Sequence, residues 1–471
     1  MFKPEIYINE KISYAAVAHL IESAAAVGTQ FHSVQLFKDG ELLLRIALPP
    51  YSNSDKMQMY SLSKSFTSTA IGMLCDDGKL SVEDKIIDIF PDKLPETVSE
   101  NLSEMRVKHL LSMNSGHHNC TMNAIKDSDD AVKTFLSLDV EHKPGTFFCY
   151  NTGASFILSA IVTKVTGVTL LDFLNTRLFP FLGIDSALWP VCGGGYNEGG
   201  FGLHISNDDL LKFGKLYLNG GVYNGKRLLS ENWVKQATSF QSDNSSNGTA
   251  DWTQGYGYQF WLNSRGGYRG DGAFGQACFV FPEKNMIFTD FMEGTDMQVS
   301  FNLIYDFLDT CFSGGDGDAV KAITDAYAPI CSCAEGAERF YGMYKLSPNC
   351  AGLTLAKIYG EDGGIGISFS DGKQLQKIYA KFGAWQENCV TLYSAKPTLT
   401  GLSHMPRSEQ VRFAAYCFVK DDALLIDVRN LNTPHHDPIT LSITDSGLKL
   451  VHGAKPGLLL NDIAEMELTK I

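Results

Sequence analysis

The sequence predicts an α+β domain over residues 1–312, a linker over 313–336 and a small all-β domain over 337–471. Three observations support this. Two hairpin patterns stand at the ends of the first domain, and the periodic segments between them are helical. After "LIYDFLDTCF" (Leu303 to Phe312) the stretch "SGGDGDA" is small, polar and acidic, which marks a boundary. From about Phe340 onward short β-prone runs alternate with Gly, Asp, Asn or Pro turns, the texture of a barrel or sandwich.

The elements follow in order. "SVQLFKDGELLLRIAL" (Ser33 to Leu48) carries two β-prone runs around Lys38-Asp39-Gly40, a hairpin signature. In "MYSLSKSFTSTAIGMLCDDGKL" residues Leu62, Phe66, Ala70, Met73 and Leu74 recur at helical spacing, and Asp76-Asp77-Gly78 closes the helix. "GASFILSAIVTKVTG" is a helix ending on Gly167. "SNDDLLKFGKLYLNGG" opens with Ser206 and Asp209 at capping-box spacing and stops at Gly220-Gly221. "ACFVFPEKNMIFTDFM" (Ala277 to Met292) is the second hairpin, with Pro282 to Asn285 as its turn. The first and last strands of the domain are expected to share one sheet. In the second domain "GIGISFS", "RFAAYCFV", "ALLIDVRN", "ITLSIT" and "LKLVHG" read as strands.

A chain of 471 residues buries a sizeable core without difficulty. Its 39 Lys and Arg against 53 Asp and Glu give a net charge of −14, with no basic run long enough to track phosphates. Neither nucleic acid nor a membrane is an expected partner; a small-molecule substrate is, and the oligomeric state is left open. The opening residues lack the apolar core of a secretory signal, and the eleven cysteines show no repeated pair spacing, so a cytoplasmic location is expected. "CSC" at Cys331 and Cys333 reads as linker, with no metal expected there or elsewhere. "GGGYNEGGFG" (Gly193 to Gly202) lacks the Gly-Lys-Ser/Thr ending of a phosphate loop and reads as a loop near the cleft. His435 and His436, in "TPHHDP", read as a surface turn.

Chemistry concentrates at the start of the first buried helix. Ser61 falls in its first turn, just after the extended run "KMQMY", and Lys64 lies three residues on, on the same face. The Ser-x-x-Lys spacing also occurs at Ser370 to Lys373 and Ser446 to Lys449, in Gly-containing turns. Only the first follows an extended run and enters an apolar helix. A hydroxyl is a weak nucleophile until a base takes its proton, and an amine serves only if burial pulls its pKa down from about 10.4. Ser61 is therefore the candidate covalent nucleophile and Lys64 a desolvated cation or base.

"YSLSKSFTSTAIGMLCDDGKLSVEDKIIDIFPD" resembles the nucleophile segment of the serine β-lactamase and penicillin-binding-protein superfamily, in particular the class C-like serine hydrolases. "MRVKHLLSMNSGHH", "KPGTFFCYNTGASFILSAIVTKVTG" and "GGFGLHISNDDLLKFGKLYLNGGVYNGKRLLSENW" resemble later blocks of that superfamily in the same order. The resemblance implies a β-lactamase/transpeptidase-like domain, with an antiparallel sheet flanked by helices and a helical subdomain. It implies an acyl-serine mechanism without a cofactor. The Tyr-x-Asn motif is matched by Tyr150-Asn151-Thr152, so Tyr150 takes the place of the tyrosine that shares proton traffic with the lysine. Either Lys64 or a Tyr150 phenolate is then a candidate base, as a coupled pair. Thr152 replaces the usual asparagine, and Asn151 cannot substitute because it points elsewhere.

The third motif, Lys-Thr-Gly or His-x-Gly in the family, aligns with Gly270-Asp271-Gly272, and its cation is missing. Arg269 is adjacent but on the opposite strand face. Gly270 and Gly272 permit close backbone approach, and the amide of Ala273 corresponds to the second oxyanion donor, paired with the amide of Ser61. By this alignment Thr152, Gly270, Asp271 and Gly272 line the substrate, although Asp271 reads as a strand hydrogen-bonding residue and not an acid catalyst. Arg269, His117, His118 and His204 are candidate replacement cations and read as ordinary polar residues. A contact between a cation and a substrate carboxylate is worth roughly 1.5–3 kcal/mol. Its loss favours a small neutral ester or amide over a β-lactam. The rivals are a D-amino-acid peptidase or amidase, a weak β-lactamase, and a non-catalytic scaffold that kept the fold.

Overall fold

The computed structural model describes residues 2–192, 194–314, 332–349, 352–372, 375–391, 410–453 and 463–471. Most of the expected linker, with Cys331, therefore lies outside the described residues, as does Cys350. The first domain is built on one seven-stranded sheet. In chain order its strands are β1 (Glu5–Ile8), β2 (Gln30–Lys38), β3 (Glu41–Ala47), β4 (Trp261–Leu262), β5 (Tyr268–Gly272), β6 (Gln276–Phe281) and β7 (Met286–Glu293). They run β1-β3-β2-β7-β6-β5-β4 across the sheet. All pairings are antiparallel, and β2 and β7 join the two ends of the domain as expected.

Strand alternation decides what each face carries. Phe279, Phe281, Ala277 and Val34 face helices α1 (Tyr14–Ala26) and α5 (Met297–Thr310), in one apolar core. Cys278, Val280 and Ile287 face the other way, into a core shared with α2 (Ser63–Asp76), α3 (Thr152–Thr166) and α4 (Asn207–Leu218). The Ser206 hydroxyl accepts the Asp209 amide proton at 3.1 Å, and the Asp209 carboxylate accepts that of Ser206 at 3.3 Å, completing the expected capping box. Gly167 closes α3 at φ 77°. No single helix among the described residues is long and apolar enough to cross a membrane.

Among its described residues the second domain holds ten strands, from Gly342–Leu346 to Ile463–Lys470, in a continuous antiparallel array. It closes where Leu375–Phe382 pairs in parallel with Gln410–Lys420, which makes it a barrel and not a sandwich. Its interior is a separate apolar core that includes Phe340, Ile367, Phe413, Leu424 and Leu450.

The barrel is fastened to the first domain by polar contacts around residues 429–436. Arg429 donates to Glu293 at 2.9 Å and to Asp427 at 3.0 Å, and His436 Nδ1 lies 2.8 Å from Glu293. Burial alone would raise the Glu293 carboxyl; the Arg429 charge, with the hydrogen bond to His436 and the His32 ring 3.6 Å away, outweighs it and holds the group well below the usual carboxylate range. The expectation of a surface turn at 435–436 is thus overturned. His435 is 3% exposed and His436 pairs across the domain boundary. Removing one partner of a mostly buried ion pair strands the other charge, which costs about 3–5 kcal/mol. Arg429→Met should lower the unfolding free energy by that amount in urea titrations at neutral pH, whereas a change under 1 kcal/mol would contradict this account of the junction.

Candidate active site

The short strand Met57–Gln58 leads into a 3₁₀ turn, Tyr60–Leu62, which feeds α2 directly. Ser61 sits in that turn, half-buried. The helix is buried on nearly every side from Ser63 to Leu74, so each polar side chain in it needs a partner. The hydroxyl-rich first turns supply them to the surrounding loops. Ser65 donates to the Gln259 carbonyl at 2.8 Å, Thr67 to the Gly199 carbonyl at 2.6 Å, and Ser63 accepts the Leu203 amide proton at 3.1 Å.

Lys64 is 1% exposed, with its Nζ 3.0 Å from Ser61 Oγ. It donates to the Gly200 carbonyl at 2.7 Å. Among the described residues no carboxylate lies in ion-pair contact with it. Burial pushes its pKa down to about 7, against weaker upward pulls from Cys120 and Asp271. The glycine-rich loop therefore does more than border the cleft, because its Gly200 carbonyl aims the amine.

Tyr150 completes the group. Its ring centroid lies 4.8 Å from the Lys64 amine, and its phenol is close enough to Ser61 for that side chain to pull its pKa downward. Burial, and then the nearby Asp271 charge, raise the phenol above its ordinary value, so it is protonated at neutral pH. Trp261 stacks on the ring at 5.1 Å, and Tyr256 meets it edge-on at 6.2 Å. Asn151 does point away. Its Oδ1 caps α3 by accepting from the Gly153 amide at 3.0 Å and accepts from Thr121 Oγ1 at 2.9 Å. Thr152, expected to line the substrate, instead lies against the Gly200 backbone, where a β-carbon on that glycine would come within 2.6 Å of its methyl.

The strand opposite the nucleophile is β5. A β-carbon on Gly270 would lie 2.7 Å from Ser65 Oγ, and one on Gly272 would lie 2.2 Å from the Met59 carbonyl oxygen. Only glycines let β5 press this closely on the Met59 to Ser65 segment. Ala273 follows at an exposed position, and Ser61 is half-buried. Arg269 faces away, as strand alternation requires. It is fully buried, donating to Asp271 at 2.8 Å, to Asn263 at 3.0 Å and to the Asp251 carbonyl at 2.9 Å. Asp271, expected to line the substrate, is 6% exposed and spends an oxygen on Arg269. It acts on Lys64 and Tyr150 through its field. Burial pushes His117 and His204 down to about 4, so neither is a cation at neutral pH. His118 lies against His142 at 3.1 Å.

A hydroxyl, an amine that is partly neutral near pH 7 and a protonated phenol in one group are what acyl transfer through a serine requires. A family model described as Beta-lactamase matches residues 16–301, more than half of the chain. The chain belongs to this family. Among relatives of this Beta-lactamase-family protein, the 6-aminohexanoate-dimer hydrolase of Paenarthrobacter ureafaciens is 24% identical over 54% of this chain and 70% of its own length. The lovastatin esterase of Penicillium rubens is 26% identical over 35% of this chain and 48% of its own length. Penicillin-binding protein 4 of Amycolatopsis lactamdurans is 25% identical over 55% of this chain and 79% of its own length. The protein is accordingly a serine hydrolase of the β-lactamase and penicillin-binding-protein superfamily. Among solved structures, a β-lactamase-like protein of Bacteroides dorei superposes with a TM-score of 0.54 at 18% identity, covering 64% of this chain and all of its own. A penicillin-binding-protein homologue from Pyrococcus abyssi covers 96% of this chain and 99% of its own length at a TM-score of 0.51 and 15% identity.

The structure brings Ser61, Lys64 and Tyr150 together and sets Gly270 and Gly272 against the Met59 to Ser65 segment. The Gly200 carbonyl was missed, since a backbone oxygen has no sequence signature beyond the glycines around it. Gly272→Ala forces β5 off the Met59 carbonyl. Fluorophosphonate labelling at Ser61 should fall at least tenfold in that variant, while far-UV circular dichroism stays native.

Proposed function

We propose that this hydrolase cleaves a small neutral ester or amide through an acyl-enzyme on Ser61. The observation that carries the reading is the Lys64 amine, 3.0 Å from Ser61 Oγ and held at a pKa of about 7. Neutral Lys64 takes the Ser61 proton as Oγ attacks the carbonyl carbon, and the amides of Ser61 and Ala273 hold the oxyanion. As the tetrahedral species collapses, Tyr150 gives its phenolic proton to the departing alkoxide or amine and is reprotonated from Lys64. Water then attacks the acyl-serine, with the same pair moving protons in reverse. Between the two candidate bases, the raised phenol favours Lys64 as the base and Tyr150 as the acid.

The substrate class follows from the third motif. Where a cation would meet a substrate carboxylate there is Gly270, followed by Asp271, whose charge is already paired with Arg269. Neither residue favours an anionic substrate. Two relatives are named for a 6-aminohexanoate dimer and for lovastatin, which agrees with hydrolysis beyond β-lactams.

Short-chain nitrophenyl esters and a fluorophosphonate probe test this directly. Wild type should be labelled and turn over ester, and Ser61→Ala should do neither. Lys64→Met should lower kcat by about 10²–10⁴-fold, the range of general-base catalysis. Because protonated Lys64 cannot act as a base, kcat/KM should fall about tenfold per pH unit below about 7 and level off above it. Nitrocefin turnover faster than ester turnover would overturn the substrate class, and a profile flat down to pH 5 would overturn Lys64 as base.

A further inference from the structure

The oxyanion hole proposed above is made of two amides from segments with no covalent tie between them. Tyr60 immediately precedes Ser61, and Phe274 immediately follows Ala273. Both flanking residues hold positive φ, 45° at Tyr60 and 71° at Phe274. Bulky side chains rarely adopt this conformation, which persists only where surrounding contacts enforce it. Their rings meet edge to face at 5.3 Å. A third ring closes the cluster, and it comes from the barrel. His435 Nε2 lies 2.6 Å from the Tyr60 hydroxyl, and the His435 ring stands 4.8 Å from that of Phe274.

The barrel grips both flanks of the hole independently of these rings. On the nucleophile side, the Gln58 amide donates to the Asn432 carbonyl at 2.8 Å, Asn432 donates to the Lys56 carbonyl at 3.1 Å, and Arg412 pairs with Asp55 at 3.1 Å. On the other side, the Gly294 amide donates to the Phe274 carbonyl at 3.0 Å, and Glu293, next in the chain, is held by Arg429 and His436. The same short stretch of barrel thus sets the position of both donors.

We propose that His435 is a positioning residue for the oxyanion hole: by bridging Tyr60 and Phe274 it fixes the separation of the Ser61 and Ala273 amides. The inference rests on the acyl-serine reading above. It gives the C-terminal domain a part in the reaction, although none of that domain's described residues is placed on the reacting atoms. An oxyanion donor is worth about 10²–10³ in kcat, and its value depends on position, so a loosened clamp should lose part of that factor. Ground-state binding does not use the oxyanion contact, so KM should move little.

The test uses the full chain, nitrophenyl ester turnover, fluorophosphonate labelling and thermal unfolding. Tyr60→Phe keeps the ring and removes only the hydroxyl; His435→Ala removes the bridge; His435→Gln restores a hydrogen-bonding group. The first two should each lower kcat about ten- to a hundredfold with KM within about twofold. The double variant should be no slower than the slower single, and His435→Gln should recover at least threefold over His435→Ala. Should His435→Ala fail to fold, Tyr60→Phe carries the test alone. Variants with lowered thermal stability but kcat within twofold of wild type would assign the contact to structure only and overturn the inference, leaving the acyl-serine reading intact. Losses that multiply in the double variant would also overturn it. A wild type that is neither labelled nor active would sink the reading itself and this inference with it.

Discussion

The site depends on a lysine amine enclosed where water cannot solvate its charge. An ammonium taken from water without a carboxylate partner costs several kcal/mol, and the usual escape is to release the proton. Lys64 has a carbonyl, a hydroxyl and an aromatic face around it, which suit an amine that spends much of its time neutral. The same desolvation acts in the opposite sense on Tyr150, where it keeps the phenol protonated. One dry environment therefore favours a neutral amine and a protonated phenol, the states that the proposed base and acid need.

Keeping that environment dry explains much of the surrounding structure. Helix α2 is buried almost all round, and its hydroxyls satisfy loop backbone that would otherwise be stranded. Glycines at 270 and 272 let β5 close directly over the nucleophile turn, where any β-carbon would hold the strand away. Phe148, Tyr150, Trp252, Tyr256 and Trp261 form an aromatic wall beside Met113, and Trp252 also covers the guanidinium of Arg269 at 4.9 Å. The arginine that looks in sequence like a replacement cation is a structural strut behind the sheet.

Much of this was legible in the sequence because it is local. Helical spacing, a Ser-Asp capping box, two turns and strand alternation each act within about ten residues, and they placed Ser61, Lys64, the helices and the orientation of Arg269. Tyr150 came from resemblance, since nothing in its neighbourhood reveals a partner 86 residues away in the chain. Two features stayed hidden for a common reason. Gly200 lies 136 residues from Lys64, and His435 lies 375 residues from Tyr60. "TPHHDP" leaves a bend at 431–434 and runs into the strand His436–Thr444, and neither histidine is exposed at the surface. Turn composition reports how the chain bends and says nothing of what packs onto it, so a buried histidine looked like a solvated one.

That distinction bears on how the two domains are joined. Each has its own apolar core; Ala414 and Leu431 of the barrel also join the core of the first domain, and ion pairs and hydrogen bonds accompany that apolar contact. An apolar seam would tolerate sliding at modest cost, because hydrophobic burial is non-directional. Hydrogen-bonded charge pairs instead fix distance and angle, and a misplaced partner leaves a buried charge exposed to the full penalty of desolvation. The joint formed by Arg429, Glu293 and His436 therefore sets register, and the residues it holds in register are neighbours of the two amides on which an oxyanion would rest. Polar fastenings beside an apolar contact would suit an oxyanion hole built from two backbone groups on different segments.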